Sequence, residues 1–469
     1  MTTDLTKGSP LKSIFWFSVP FLIGNLFQQF YNIADMVIVG RTISPDAYAA
    51  VGSTGSLIWF TVGGIQSLTT GFSTITARYF GAGDEEGVKR SFAASIKLTA
   101  IITAVLSVLF VLLARPMLQL LRTPEDIFEQ AYIYLFWIFA GLLATALYNL
   151  LSNMIRALGD SRTPLYFLIL ACVINIILDV VFIAICGMDT DGAGLATVVA
   201  QLLSGLCCIV YIKKKQPRLH LERRHFVRDG PLDRQLLGVG VPMAFLNMVL
   251  SVGSIVAQFV TNGLGTAYVS AQATGGRVEN FTIQPLLSIG SAVAVFTAQN
   301  YGAKQYRRIL QGSKSATLLG FLWWIIALIV MIPFGRGIIT LLAGDEVSQA
   351  VIENSYFFIL INTSMSFLVM PLIMQKSILQ SVGRTFWTMT SGFTEIIGRA
   401  GLSALVMYLM NNAVVTEQLA FRVMCFVNPS AWICGILTIL LDDIFMLRGF
   451  ARLAKEQETV EQERAAMHV

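Results

Sequence analysis

Charged residues are scarce in this 469-residue chain: Asp, Glu, Lys and Arg make up only 13% of it, while hydrophobic residues make up 55%. A soluble globular chain is typically about 25% charged, and the mean hydropathy here is +0.68. The composition therefore excludes a water-soluble protein and predicts a polytopic membrane protein.

Histidine and cysteine are also rare. The three histidines, His220, His225 and His468, all lie in polar segments, which excludes a histidine proton relay inside the membrane. The six cysteines show no CxxC or other metal-ligand spacing, so neither a disulfide framework nor a zinc site is indicated. We therefore expect no bound cofactor, and any proton chemistry must use carboxylates.

Twelve stretches of the chain are long and apolar enough to cross a bilayer, whose core of about 30 Å requires about 20 residues per helix. We number them segments 1 to 12. They cover approximately residues 11–39, 47–74, 93–114, 132–151, 164–186, 193–212, 236–260, 281–298, 316–333, 351–374, 386–410 and 421–445.

The net charge of +5 comes from basic residues that are confined mainly to short loops on one side of the predicted membrane. An excess of Lys and Arg marks cytoplasmic loops, so we predict a multi-pass protein of the cell inner (plasma) membrane with both termini in the cytoplasm. The longest basic loop, residues 213–234, is interpreted as a topology signal at the anionic leaflet and not as a nucleic-acid site.

The two halves of the chain resemble each other. VPFLIGN at 19–25 returns as VPMAFLN at 241–247, TARYFGA at 76–82 returns as TAQNYGA at 297–303, and IRALGDSRT ending at Thr163 is matched by ILQSVGRT ending at Thr385. The shift stays at 221 or 222 residues, which predicts two six-helix repeats. Because six is even, the repeats have the same orientation and are related by a pseudo-twofold axis along the membrane normal.

The predicted fold is therefore an all-α polytopic membrane protein with twelve transmembrane helices in two six-helix lobes. Its parts are an N-terminal lobe at 1–212, a cytoplasmic linker at 213–234, a C-terminal lobe at 235–447 and a cytoplasmic tail at 448–469.

Acidic residues inside membrane segments are candidates for function, since each costs at least about 2.5 to 3.5 kcal/mol there. Asp35 lies in segment 1, while Asn175 and Asp179 are four residues apart on one face of segment 5. Thr197 of segment 6 could reach the same depth. Together these four form an oxygen-only cluster that suits sodium or a carboxylate pair sharing a proton. A packing role for Asp35 remains the alternative.

The second half offers other charged candidates. Glu395 and Arg399 are four apart in segment 11, which favours an ion pair on one helix face; the functional alternative is a charged patch in a cavity wall. Glu279 could attract a cationic substrate at the outer mouth, or it could belong to an ordinary solvated loop. Further candidates for a substrate cavity are Phe27, Gln28, Tyr31, Trp59 and Phe281.

Pro20 and Pro242 occupy equivalent positions in the two repeats. A proline inside a helix removes a backbone hydrogen bond and favours a kink. We predict that both act as helix hinges, and that the bend at Pro20 responds to the charge of Asp35 on the same helix.

The chain resembles the multidrug and toxic compound extrusion (MATE) family. The resemblance is carried by NLFQQFYNIADMVIVG in segment 1, ITARYFGAGD, RALGDSRTP, NIILDVVF in segment 5 and TAQNYGA. The prokaryotic branch with its cation site in the first lobe binds the cation through residues that match Asp35, Asn175, Asp179 and Thr197. Segment 7 has no acid and segment 10 has only Glu353 near its outer end, which argues against a second-lobe sodium site.

The resemblance implies secondary active export of amphipathic, often cationic drugs or toxic metabolites by alternating access, coupled to inward proton or sodium flow. It implies no enzymatic activity. The expected partners are small molecules and the lipid bilayer, with no nucleic-acid partner and no obligate protein partner. The alternative function is a flippase for a lipid-linked oligosaccharide or another lipid, for which a strongly basic cavity would be expected. A membrane enzyme would need a catalytic cluster, and the adjacent Asp442 and Asp443 are better explained as the polar end of segment 12.

Overall fold

The structure is a computed structural model that describes residues 4–343, 348–412 and 414–467. Over these residues every regular element is helical, as predicted. The α-helices are α1 (Pro10–Thr42), α2 (Pro45–Ser53), α3 (Gly55–Gly81), α4 (Glu85–Leu120), α5 (Glu125–Ala140), α6 (Leu142–Ala157), α7 (Arg162–Asp179), α8 (Thr190–Lys215), α9 (Gly230–Asn262), α10 (Thr266–Gly302), α11 (Tyr306–Ala343), α12 (Gln349–Ser381), α13 (Thr385–Asn411), α14 (Glu417–Met424) and α15 (Val427–Met467).

All twelve predicted membrane segments coincide with these helices. Segment 2 is divided between α2 and α3, and segment 12 begins in α14 and continues in α15. Segment 4 is divided between α5 and α6, which are bent by 48° at the break between them. Among the described residues, nine helical spans are long and apolar enough to cross a membrane, and the bent pair makes a tenth. The predicted tail at 448–469 continues α15 as far as Met467, and His468 lies outside the described residues.

Two compact units make up the chain. Unit 1 contains residues 4–5 and Val19–Met248, and unit 2 contains Thr6–Ser18 and the described residues from Val249 onward. Two of the long helices are thus shared: α1 changes unit just before Pro20, and α9 changes unit after Met248, six residues beyond Pro242.

Small residues let α8 approach α5 and α6 closely in unit 1. A Cβ atom built on Gly194 would lie 2.8 Å from the Cβ of Trp137, and one built on Gly141 would lie 2.1 Å from Val198. Real Cβ atoms do not come this close, so both positions require glycine for the observed packing. This contact fixes the depth of the α8 turn that carries Thr197 against α5.

The connection between α8 and α9 packs on α4 through ion pairs and a histidine–carboxylate contact. Arg218 lies 3.1 Å from Glu85, and the buried ring of His225 lies 3.3 Å from Glu86. Lys97 of α4 in turn lies 3.1 Å from Asp233 at the start of α9. Part of the basic run that we interpreted only as a topology signal therefore also joins the connection to α4.

Unit 2 is packed in a similar way. A Cβ atom on Gly275 of α10 would lie 2.7 Å from the Phe358 ring of α12, and one on Gly320 of α11 would lie 2.5 Å from Met370 of α12. Its C-terminal helix is attached to α11 by an ion pair between Arg307 and Glu458. The predicted tail is thus part of unit 2 as far as the structure describes it.

The repeated motifs form the same turns. In TARYFGAG and TAQNYGAK, the last residues, Gly83 and Lys304, both have a positive φ, of 73° and 57°. Gly159 and Gly383, in the second pair of motifs, have φ of 86° and 81°. A left-handed residue closes the preceding helix in each case, which explains why these short motifs recur in both halves.

Lys304 occupies this left-handed conformation at a cost that glycine avoids, about 1 to 2 kcal/mol. We expect Lys304→Gly to raise the apparent melting temperature of the purified protein. The reciprocal change, Gly83→Lys, should lower it, since no atom lies within 4 Å of a Cβ built there and only the backbone conformation is affected. Melting curves of the two variants that shift in the same direction would contradict this explanation.

Candidate cation-binding site

The four residues predicted to form an oxygen cluster all lie in unit 1 and come together. Asp35 of α1 and Asp179 of α7 are buried, with 4% and 0% of their surface exposed, and their carboxyl groups lie near enough to interact with each other. Asn175 lies one turn before Asp179 and is also buried. Thr197 of α8 lies beside it, so α1, α7 and α8 each contribute to one site.

Asn175 links the acid of α7 to α8. In the amide orientation that satisfies both of its polar atoms, its nitrogen donates to Asp179 Oδ2 at 2.9 Å and its oxygen accepts from the backbone N–H of Thr197 at 3.1 Å. Asn175 and Asp179 thus contact each other on one face of α7, as their spacing of four residues predicts.

Two tyrosines complete the cluster. The Thr197 hydroxyl donates to the carbonyl of Ala193 at 3.1 Å, so the Tyr31 hydroxyl, 3.1 Å away, donates to Thr197. Tyr134, a buried residue of α5, lies next to Asp35. We predicted Tyr31 as a cavity aromatic, whereas the structure gives it a contact within this cluster. Tyr134 was missed, because in an apolar segment nothing distinguishes an inward tyrosine from one at the lipid surface.

The helix that carries Asp179 changes form directly after it. The α-helical hydrogen bonding of α7 ends at Asp179, and Val180–Ile185 continue as a π-helix. Single π turns inside α-helices are frequent at functional sites. The sequence predicts a regular helix over this segment, since the apolar run continues without Gly or Pro as far as Ile185.

The cluster contains the features required to hold a proton or a hard cation. Two buried carboxylates that lie near each other repel, so the Asp35–Asp179 pair is suited to sharing a proton. The Oδ1 atoms of both acids are buried and without a hydrogen-bond partner in the described parts of the chain. In the opposite amide orientation the Asn175 oxygen would face Asp179, and with the Thr197 hydroxyl the donor set would then consist of oxygens alone, which suits sodium and not a soft metal.

The charged candidates of unit 2 have other partners. Glu395 of α13 is buried and forms an ion pair with Lys376 of α12. Arg399 donates to the carbonyl of Leu250 at 3.3 Å. Glu279 accepts from the Asn428 amide at 3.2 Å, so it belongs to a polar contact between α10 and α15 and not to an ordinary solvated loop.

The remaining cavity candidates do not join the cation cluster. Phe27, Gln28 and Trp59 are exposed on unit 1, and Phe281 of unit 2 is half-buried. Both predicted hinges, Pro20 and Pro242, lie inside continuous helices.

Comparison with known proteins decides the family. The MatE family model matches residues 20–181 and again residues 242–405. The chain belongs to the MatE family. The two matches begin 222 residues apart (242 minus 20), which is the shift found between the repeated motifs. As a member of this family of multidrug efflux transporters, the chain is a polytopic membrane transporter and not an enzyme.

Curated relatives of this MatE chain carry more than one functional name. The chain is 29% identical to the probable multidrug resistance protein YoeA of Bacillus subtilis, over 74% of this chain and 76% of the relative. It is 27% identical to an FAD transporter of Shewanella oneidensis, over 73% of this chain and 76% of the relative.

The fold is shared with solved transporters. A structure described as the outward-facing conformation of a multidrug resistance MATE family transporter of the MOP superfamily matches with a TM-score of 0.86 at 20% identity, covering 97% of this chain and 99% of the other. This match confirms the twelve-helix fold of the MatE chain.

The proximity of the Asp35 and Asp179 carboxyl groups can be tested by infrared spectroscopy. Infrared spectra of the purified protein at neutral pH should contain the C=O band of a protonated carboxyl group, which Asp35→Asn and Asp179→Asn each remove, because either change breaks the pair. Asp46→Asn, at an exposed position in α2, is the matched control and should leave the band in place. A band that persists in both site variants would show that this pair holds no proton.

Proposed function

We propose that this protein exports amphipathic, often cationic small molecules from the cell by alternating access, driven by inward flow of protons or sodium through the Asp35–Asp179 cluster. The observation that carries the proposal is the contact between two buried acids from different helices. A structural role explains such a pair poorly, since like charges in a site of low dielectric destabilise each other unless a cation is bound.

The coupling follows from what the cation does to the pair. With a proton or sodium present, the two carboxyl groups attract a shared positive centre and hold α1 against α7. Without it, the two carboxylates repel, which favours a different position of α1. Pro20, fifteen residues before Asp35 on α1, interrupts the backbone hydrogen bonding and provides a place where this helix bends.

Export requires that the substrate and the cation favour different states of the transporter. A ligand shifts an equilibrium only by its differential affinity for the two states, and the coupling between two ligands is reciprocal. A cation that stabilises the α1–α7 contact would therefore lower the affinity for a substrate that requires the separated arrangement. Glu279, with its Asn428 contact, is our candidate for attracting the cationic end of a substrate in unit 2.

The same proposal assigns the protein to the cell inner membrane, with both termini in the cytoplasm. Its support is the positive-inside rule, applied to the basic residues near the end of α8 and in the connection that follows. We propose no cofactor and no obligate protein partner; the coupling ion is cargo.

Transport by proteoliposomes tests the coupling. Efflux of a fluorescent cationic dye should follow an imposed proton or sodium gradient in the wild type, and the effective gradient identifies the ion. Asp35→Asn should reduce the gradient-driven part by about 5- to 150-fold, the usual range of a coupling free energy. Asp46→Asn should transport normally.

Several results would contradict the proposal. Gradient-driven export that survives in Asp35→Asn would exclude this coupling site. Failure to move any dye under either gradient, together with movement of a fluorescent lipid-linked oligosaccharide, would establish the flippase alternative. FAD, named as the substrate of the Shewanella relative, should be included as an anionic test compound.

The ion can also be assigned through Thr197. Sodium requires several oxygen ligands, whereas a proton needs only the carboxyl pair. If sodium is the coupling ion, Thr197→Val should raise the sodium concentration that gives half-maximal transport, while proton-coupled transport should change little. If transport is proton-coupled and Thr197→Val abolishes it while the variant still inserts normally into the membrane, Thr197 is needed for proton coupling as well. That result would contradict this assignment of Thr197 to sodium binding alone.

A further inference from the structure

An apolar cavity of about 760 Å³ lies in unit 1 between α4, α6 and α8, at the side where the connection to α9 packs. It is separate from the cation cluster and has no role in the proposed transport. The residues that matter for its chemistry are Ala100 of α4, Leu147 of α6, and Leu202 and Lys213 of α8. We call it the loop-side groove.

The groove is long. Its lining on α8 extends from Leu202 to Lys213, eleven residues that correspond to about 16 Å at about 1.5 Å per residue. The hydrocarbon core of a bilayer is about 30 Å thick, so the groove covers the depth of one leaflet. A compact drug molecule would not need this length, whereas an acyl chain lying along the helices would use all of it.

The two ends of the groove differ in chemistry. Lys213 and His220 lie at the end near the connection, and the His220 ring is 3.1 Å from the carbonyl of Ile212. Lys213, Lys214 and Lys215 are exposed, and none of them forms an ion pair within the described parts of the chain. The other lining residues are almost all apolar. This is the polarity of a phospholipid, with its anionic phosphate at one end and its acyl chain at the other.

We propose that the loop-side groove binds one anionic phospholipid, with an acyl chain between α4, α6 and α8 and the phosphate group at Lys213. Burial of an acyl chain contributes about 0.8 kcal/mol per methylene group relative to water, but the surrounding bilayer offers the same gain. Selectivity must therefore come from the phosphate contact and from the shape of the groove.

Native mass spectrometry of the full-length protein in a mild detergent tests this. Phosphatidylglycerol and phosphatidylcholine with the same acyl chains would be added separately. We expect more phosphatidylglycerol than phosphatidylcholine to stay bound to the protein. Lys213→Gln should weaken phosphatidylglycerol binding about fivefold, the effect of one basic residue near an anionic lipid, and should leave phosphatidylcholine unchanged. Lys214→Gln, one residue further and outside the groove lining, is the matched control and should behave like the wild type.

Ala100→Phe tests the apolar part. This residue is exposed and lines the groove, so a phenyl ring there should occupy the acyl-chain space without disturbing a packed core, and both lipids should bind more weakly. Equal binding of both lipids by the wild type would overturn the proposal. So would equal losses in Lys213→Gln and Lys214→Gln, unchanged binding by Ala100→Phe, or displacement of the lipid by a transported dye, which would make the groove a substrate site.

Discussion

Two carboxyl groups that share one small buried volume impose the strongest constraint on this molecule. Asp35 and Asp179 come from helices far apart in the chain, and neither forms an ion pair with Lys or Arg in the part of the chain that the structure describes. Burial of two negative charges is costly, so the pair requires a proton or another cation between its oxygens to reduce its charge. Several surrounding features serve this contact: the Asn175 amide, the Tyr134 side chain, and the glycines that let α8 approach α5.

The second repeat has other residues at the positions of the acidic cluster. At the positions 222 residues after Asp35, Asn175 and Asp179 stand Ala257, Ile397 and Gly401, so the repeated turns are kept and the acidic cluster is not. One buried acid of this half, Glu395, is neutralised by Lys376. A permanent internal cation makes such a pair unsuitable for reversible cation binding, since a competing ion would have to displace a tethered ammonium group. Glu395 is therefore unsuited to the cation-binding role that we propose for the Asp35–Asp179 pair.

The sequence predicts helices and local pairs well, because both depend on short-range patterns. The twelve apolar segments, the repeats and the shared face of Asn175 and Asp179 belong to this class. Contacts between distant helices follow no such pattern. The local rule gave Arg399 as the partner of Glu395, while Lys376 comes from another helix. Tyr134 and the π-helix after Asp179 have no local sequence signature. The expectation that α1 lies next to α7 and α8 came from the resemblance to a known family and not from periodicity.

The division of α1 between the units has a consequence for biosynthesis. The backbone carbonyls of Lys7 and Gly8 accept hydrogen bonds from Arg308 of α11, 301 and 300 residues later in the chain. At about 5 to 20 residues per second, a ribosome needs about 15 to 60 s to synthesise that interval. Lys7 and Gly8 therefore leave the ribosome well before Arg308, their native partner in α11, has been synthesised.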